Sequence, residues 1–189
     1  MDNPKDVLKR LDIPEKQADD LLSISKIKQI GNGESYISEG QIPKTFAISI
    51  QGLFRYYYID DKGNEFTKGF ILPEAVVSAY SAMLHQTPSF FYIQALEDSE
   101  ILEVDYNKWL ELQQQDSFWD KFLIRALEKG YFTKEKRERE LLLLDAEARY
   151  KIFTTEFPSM EKRIKLQIVA SYLGIQPESL SRIRKNKPT

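Results

Sequence analysis

From Lys165 to Lys185 the sequence reads KLQIVASYLGIQPESLSRIRK, and its polar residues are spaced to meet nucleic acid. At about 100° per residue on a helix, Glu178, Arg182 and Lys185 fall opposite Leu180 and Ile183. If the apolar side packs, these three project outward, flanked by Ser179, Ser181 and Arg184. A guanidinium can donate two hydrogen bonds to one guanine, and a carboxylate can accept from cytosine N4. Lys165, Lys185 and Lys187 suit phosphates, which supply affinity but no sequence information. Gln167, Gln176, Pro177 and Ser179 join Lys165, Glu178, Arg182 and Lys185 as candidate DNA contacts. The charge distribution agrees. The chain carries a formal charge of -2, yet residues 161–189 hold seven basic and two acidic residues, which leaves -7 on 1–160. A basic end on an acidic chain points to a polyanionic partner.

Other chemistries lack their residues. There is no Cys among the 189 residues, which excludes disulfides, thiolate metal sites, cysteine nucleophiles and cysteine-held iron–sulfur clusters. His85 is the single histidine, so no His cluster can bind a metal, and its surroundings read as a helix end or loop at the surface. Gly31-Asn32-Gly33 follows no βαβ pattern and reads as a turn rather than a phosphate loop. No catalytic residues and no metal ligands are assigned. The composition, 42% hydrophobic and 30% charged, is that of a globular chain. No apolar run is long enough to span a bilayer, and the first residues lack a signal-peptide core. A cytoplasmic protein is expected.

The elements that must position these residues follow from the apolar pattern. Leu166, Val169, Ala170 and Leu173 make one helical stripe, and Gly174 follows at the slot where a helix ends with positive φ. Ile175 can plug the angle, Pro177 suits the first turn of a second helix, and Glu178 suits its positive end. Two short helices joined by a glycine turn form a helix-turn-helix. Upstream, Asp145 can cap a helix that ends before Pro158. From Ser117 to Leu144 no proline occurs, and Trp119, Phe122, Leu123, Ala126, Leu127 and Tyr131 form a stripe. A helix of about 25 residues would be about 37 Å long. Its stripe can pack on the protein's own β structure, meet a second copy, or do both. Residues 1–105 read as short helices up to Ser25, then many short strands. These strands cover 26–30, 36–38, 46–59 broken at Gly52, 65–72, 90–93 and 101–104, with turns at Asp60–Asn64 and Glu97–Glu100. That pattern suits a roll, barrel or sandwich. Tyr56, Tyr57, Tyr58, Tyr80, Phe90, Phe91 and Tyr92 either fill its core or line an apolar pocket.

The stretch Ile168-Val169-Ala170-Ser171-Tyr172-Leu173-Gly174-Ile175, followed by Pro177-Glu178-Ser179-Leu180-Ser181-Arg182-Ile183, resembles the helix-turn-helix of the cyclic AMP receptor protein/fumarate–nitrate regulator (Crp/Fnr) family. Gly31-Asn32-Gly33-Glu34, Glu39-Gly40, Gly52-Leu53-Phe54-Arg55-Tyr56 and Ala95-Leu96-Glu97-Asp98 resemble its cyclic-nucleotide-binding β-roll, in the family's order. The resemblance implies an α+β fold. Residues 1–116 would form a jelly-roll-like sensor β-roll, 117–144 a dimerisation helix, and 145–189 a helix-turn-helix domain. With four residues after Lys185, that domain is expected to lack a C-terminal wing. The family's base-contacting Glu and Arg fall on Glu178 and Arg182.

One departure concerns the effector. The family's pocket uses a Gly-Glu pair and a later Arg that pairs with the cyclic phosphate. Here Ser78 stands at the Glu position and Ser89 at the Arg position, and no Lys or Arg lies between Gly69 and Lys108. A buried phosphate without a basic partner is poorly compensated, so cyclic AMP and cyclic GMP are not expected. The expectation is a homodimeric transcription regulator. Its implied partners are double-stranded DNA, a second copy, RNA polymerase and an unidentified small-molecule effector, with no membrane and no cofactor. The alternative is an effector-binding or protein-interaction module that no longer reads DNA.

Overall fold

The computed structural model describes residues 3–185. Lys187, an expected phosphate contact, lies outside the described residues. The chain divides into two compact units: Met1–Tyr58 with Gly69–Arg125, and Ile59–Lys68 with Ala126–Thr189.

The first unit opens with α1 (Pro4–Arg10) and α2 (Glu15–Ser23). Pro4 starts α1, where its missing N–H costs nothing, and the Asn3 side chain accepts from the Lys5 amide at 3.0 Å. The strands follow: β1 (Ser25–Ile30), β2 (Ser35–Ile37), β3 (Thr45–Gln51), β4 (Phe54–Ile59), β5 (Glu65–Ile71) and β6 (Val76–Val77). After α3 (Tyr80–His85) come β7 (Tyr92–Ala95), β8 (Ser99–Asp105) and α4 (Tyr106–Gln115). The strands form two four-stranded sheets, ordered β1-β8-β3-β6 and β2-β7-β4-β5.

Strand alternation explains why β3 is apolar on both faces. Phe46, Ile48 and Ile50 join Leu8, Leu21, Leu102, Val104 and Trp109 in a core shared with the helices, whereas Ala47 joins Ile37, Phe54, Val77, Ile93 and Ile101 in a second core. Gly52 separates β3 from β4 at φ +103, and a Cβ there would lie 2.8 Å from the Ser99 Cα. Only glycine permits both that backbone and that approach.

Some expected boundaries shift. The strand expected at 90–93 begins at Tyr92, because the Ser89 hydroxyl donates to the Phe91 carbonyl at 2.8 Å and accepts from its amide at 3.3 Å, holding 89–91 in a bend. The turn expected to extend to Glu100 ends at Asp98. Ser99 already belongs to β8, and its hydroxyl donates to the Glu97 carbonyl while accepting from the Leu53 amide. The short strand β6 and helix α3 carried too little periodicity to be read from the sequence. His85 closes α3 at the surface.

Helix α5 (Phe118–Leu143) follows, then α6 (Ala146–Glu156), a 3-10 turn at Met160–Lys162, α7 (Leu166–Leu173) and α8 (Pro177–Lys185). Asp145 caps α6 by accepting from the Ala148 amide at 2.8 Å. In the second unit Tyr150, Phe153, Met160, Ile164, Val169, Ala170, Leu173 and Leu180 are buried. Residues 59–68, the end of the β4–β5 hairpin, belong to this unit. There Asp60 accepts from the amides of Lys62 and Asn64 at 2.9 and 2.8 Å and fixes the turn. Among the described residues no helix is long and apolar enough to cross a membrane.

Candidate nucleic-acid interface

Helix α7 buries Val169, Ala170 and Leu173 and ends at Gly174, whose φ is +66. The Ile175 amide reaches back to the Ala170 carbonyl at 3.1 Å, a hydrogen bond that only a left-handed residue at this position allows. A side chain at 174 would be strained, and its Cβ would press on Leu141 of α5 at 3.3 Å. The chain turns here and enters α8 at Pro177. The amides of Ser179 and Leu180 take the Gln176 carbonyl at 3.0 and 3.2 Å.

Helix α8 is amphipathic in the expected sense. Leu180 is buried and Ile183 half-buried, while Glu178, Ser181, Arg182 and Lys185 are exposed. Among the described residues, the Arg182 guanidinium makes one hydrogen bond, Nη2 donating to the Ser179 hydroxyl at 3.3 Å. Arg184 differs. It lies 3.5 Å from Glu161, which also accepts from the Tyr150 hydroxyl at 2.9 Å, so Arg184 is committed to its own unit. Of the other expected contacts, Lys165 and Gln167 are exposed at the start of α7 and Gln176 is exposed before α8, whereas Pro177 and Ser179 are half-buried. An exposed helix face with Glu178 in its first turn and Arg182 and Lys185 in its last, next to exposed Lys165 and Gln167 at the start of the preceding helix, can donate to and accept from base edges.

Three residues that the sequence reading missed tie the helices of this unit together. Arg149 on α6 donates to the Leu173 carbonyl at 3.0 Å and also to the Leu144 carbonyl, satisfying the open ends of α7 and α5. Arg137 on α5 lies 3.9 Å from the centroid of the Tyr172 ring. Burial pulls its guanidinium below the usual arginine value, opposed by Tyr172 and Glu140. Lys136 sits between Glu140 and Glu156 and ties α5 to α6. A single charged side chain gives no periodic signal of its own, which is why none of these stood out.

The apolar stripe on α5 is split between two environments. Trp119 is fully buried and Phe122 buried in the core beside Trp109, and Leu123 packs against that core. Ala126 is half-buried, while Leu127 and Tyr131 are 41% and 69% exposed. The exposed run also takes in Ile124 and Phe132.

Residues 27–116 match the cyclic nucleotide-binding domain family. No curated protein matches the sequence. Among solved structures, a CooA mutant from Carboxydothermus hydrogenoformans is similar at a TM-score of 0.75 and 16% identity, over 98% of this chain and 84% of that one. The c-di-GMP-responsive global regulator CLP of Xanthomonas campestris is similar at a TM-score of 0.74 and 16% identity, over 88% of each chain. FixK2 from Bradyrhizobium japonicum is similar at a TM-score of 0.73 and 18% identity, over 86% of this chain and 83% of that one. Residues 27–116 thus resemble a cyclic nucleotide-binding domain, and the chain shares the fold of these three proteins.

Within residues 27–116, a run of contacts joins the Ser78 backbone to the Ser89 hydroxyl by way of Tyr56 and Phe91. The phenol of Tyr56 on β4 is hydrogen-bonded by the Ser78 backbone, and burial pushes it up to about 12. The Tyr56 ring meets Phe91 edge-on at 5.6 Å, and Tyr58 meets the same ring at 6.0 Å. Phe91 in turn holds the Ser89 hydroxyl by the two bonds given above. Arg55, the neighbour of Tyr56 on β4, donates twice to the Gln94 side-chain carbonyl, at 2.9 and 2.7 Å, and covers the Tyr57 ring. Its side chain lies on the opposite face of the strand from Tyr56.

Proposed function

We propose that this protein is a DNA-binding transcription regulator that acts as a homodimer on a palindromic operator and is not controlled by cyclic AMP. The observation that carries the reading is the exposure of Glu178, Arg182 and Lys185 on α8 while Leu180 is buried beneath them. Arg182 is the base-reading donor, Glu178 the discriminating acceptor, and Lys165 and Lys185 bind phosphates. Residues 145–189 act as the reading domain. Leu127 and Tyr131 supply exposed apolar surface for a second copy. A two-fold dimer requires half-sites about 34–36 Å apart.

The residues at the effector position do not fit a cyclic phosphate. Ser78 and Ser89 offer no charge, Tyr56 and Phe91 connect them by contact, and the stretch from Gly69 to Asn107 holds no Lys or Arg. An effector here would be uncharged or apolar. Genomic-fragment selection on the purified protein, with and without cyclic AMP at fixed salt, tests the reading. A recovered palindrome that is the same in both arms supports it. Absence of enrichment in both arms contradicts DNA reading, and enrichment only with the nucleotide contradicts the effector assignment.

A further inference from the structure

Ser171 sits on α7, on the flank of the buried stripe, and is half-buried. Its hydroxyl accepts from the Thr67 amide at 2.7 Å and donates to the Glu65 carbonyl at 2.7 Å. Glu65, Thr67 and Ser171 all belong to the second unit. β5 is the outer strand of its sheet. In an antiparallel strand, residues two apart point their amide and carbonyl groups the same way, so one hydroxyl engages the open edge as a neighbouring strand would. An uncovered edge leaves such groups to water or to a foreign strand.

We propose that Ser171 is a positioning residue for DNA reading: its hydroxyl fastens α7, and α8 with it, to the end of the β4–β5 hairpin, and so fixes where the reading helix stands within this unit, to which the exposed Leu127 and Tyr131 also belong. The inference rests on the function proposed above. The contact leaves the exposed face of α8 uncovered, since Glu178, Arg182 and Lys185 remain exposed while Ser171 is bonded. It therefore does not block DNA; it restricts the reading head, α7 with α8, within its own unit. A dimer gains affinity from its second half-site only when both heads are held at the right separation, because the second contact is then made at high effective concentration. Loosening the heads lowers that gain and leaves the contact of one head with one half-site unchanged.

The test compares Ser171→Ala, Ser171→Thr and the parent protein. Binding is measured to the full palindrome and to a single half-site, and the exchange of the Thr67 amide proton is followed by NMR. Ser171→Ala is expected to speed Thr67 exchange and to lower the ratio of full-site to half-site affinity about tenfold, with half-site affinity unchanged. Ser171→Thr, which keeps the hydroxyl, is expected to restore both. Thr67→Pro is a second variant that leaves α7 intact. It removes the donor from the open edge, where a strand tolerates proline, and should lower the ratio in the same way. A ratio that stays at the parent value in both Ser171→Ala and Thr67→Pro overturns the inference while leaving the DNA-reading function standing. A parent protein that selects no DNA overturns that function and the inference with it.

Discussion

The guanidinium of Arg137 lies over the ring of Tyr172, 3.9 Å from its centroid, so one contact ties the long helix α5 to the first helix of the helix-turn-helix. A cation over an aromatic face is worth about 0.5–2 kcal/mol depending on its desolvation, and Arg137 is partly buried. Arg137→Met and Tyr172→Leu, with the double variant, form a cycle that isolates this term from lost packing. Unfolding measurements should give a coupling of about 1 kcal/mol. Additive effects of the two substitutions would show that the contact adds nothing to the junction.

The phenol of Tyr56, pushed up to about 12 by burial, makes stability depend on high pH. In the unfolded chain a tyrosine ionises near 10. Between these values the unfolded form loses its proton and the folded form keeps it, so the unfolded state binds fewer protons and stability falls as pH rises from about 10 towards 12. Below about 10 the phenol is neutral in both states and contributes no slope. Tyr56→Phe should flatten this part of the stability curve and remove one late-ionising phenol from the near-ultraviolet titration. An unchanged titration would place the Tyr56 hydroxyl in water.

A charge placed on the exposed run of α5 should disrupt self-association. Leu127 and Tyr131 are one turn apart and both exposed. Leu127→Glu and Tyr131→Glu should each weaken the dimer by about 2 kcal/mol or more, roughly thirtyfold in dissociation constant. Sedimentation equilibrium reads this directly. Trp119→Ala serves as the contrast, because Trp119 is fully buried within its own protomer. Its substitution should cost about 3–5 kcal/mol of folding stability. A dimer constant unmoved by both glutamates would put the contact elsewhere.

The helix-turn-helix was the most legible part of the sequence, because its signals are local. Gly174, Pro177, Leu180 and the charged positions of α8 each follow from helix geometry, and the structure places them as expected. The strands were legible where alternation ran for several residues, as in β3 and β4. They shifted where one hydroxyl overrode propensity, as Ser89 and Ser99 do at the starts of β7 and β8. The α5 stripe gave the right periodicity but could not show that Trp119 and Phe122 face a core while Leu127 and Tyr131 face solvent. Contacts between residues far apart in sequence left no trace: Ser171 with Glu65 and Thr67, Arg149 with Leu173, and Arg137 with Tyr172. Each joins a side chain to a partner that only the folded chain brings near.

The most direct test of the account is the specificity of Arg182→Ala. Affinities of the parent protein and the variant would be measured for the selected operator and for a scrambled duplex at one salt concentration. If Arg182 reads a base, the variant should lose about 1–3 kcal/mol of operator affinity per half-site, while binding to the scrambled duplex changes far less. The melting temperature should not move, because the Arg182 side chain is exposed and its one hydrogen bond among the described residues, to Ser179, is also near the surface. An operator-to-scrambled ratio equal to that of the parent protein would contradict the claim that α8 reads DNA sequence.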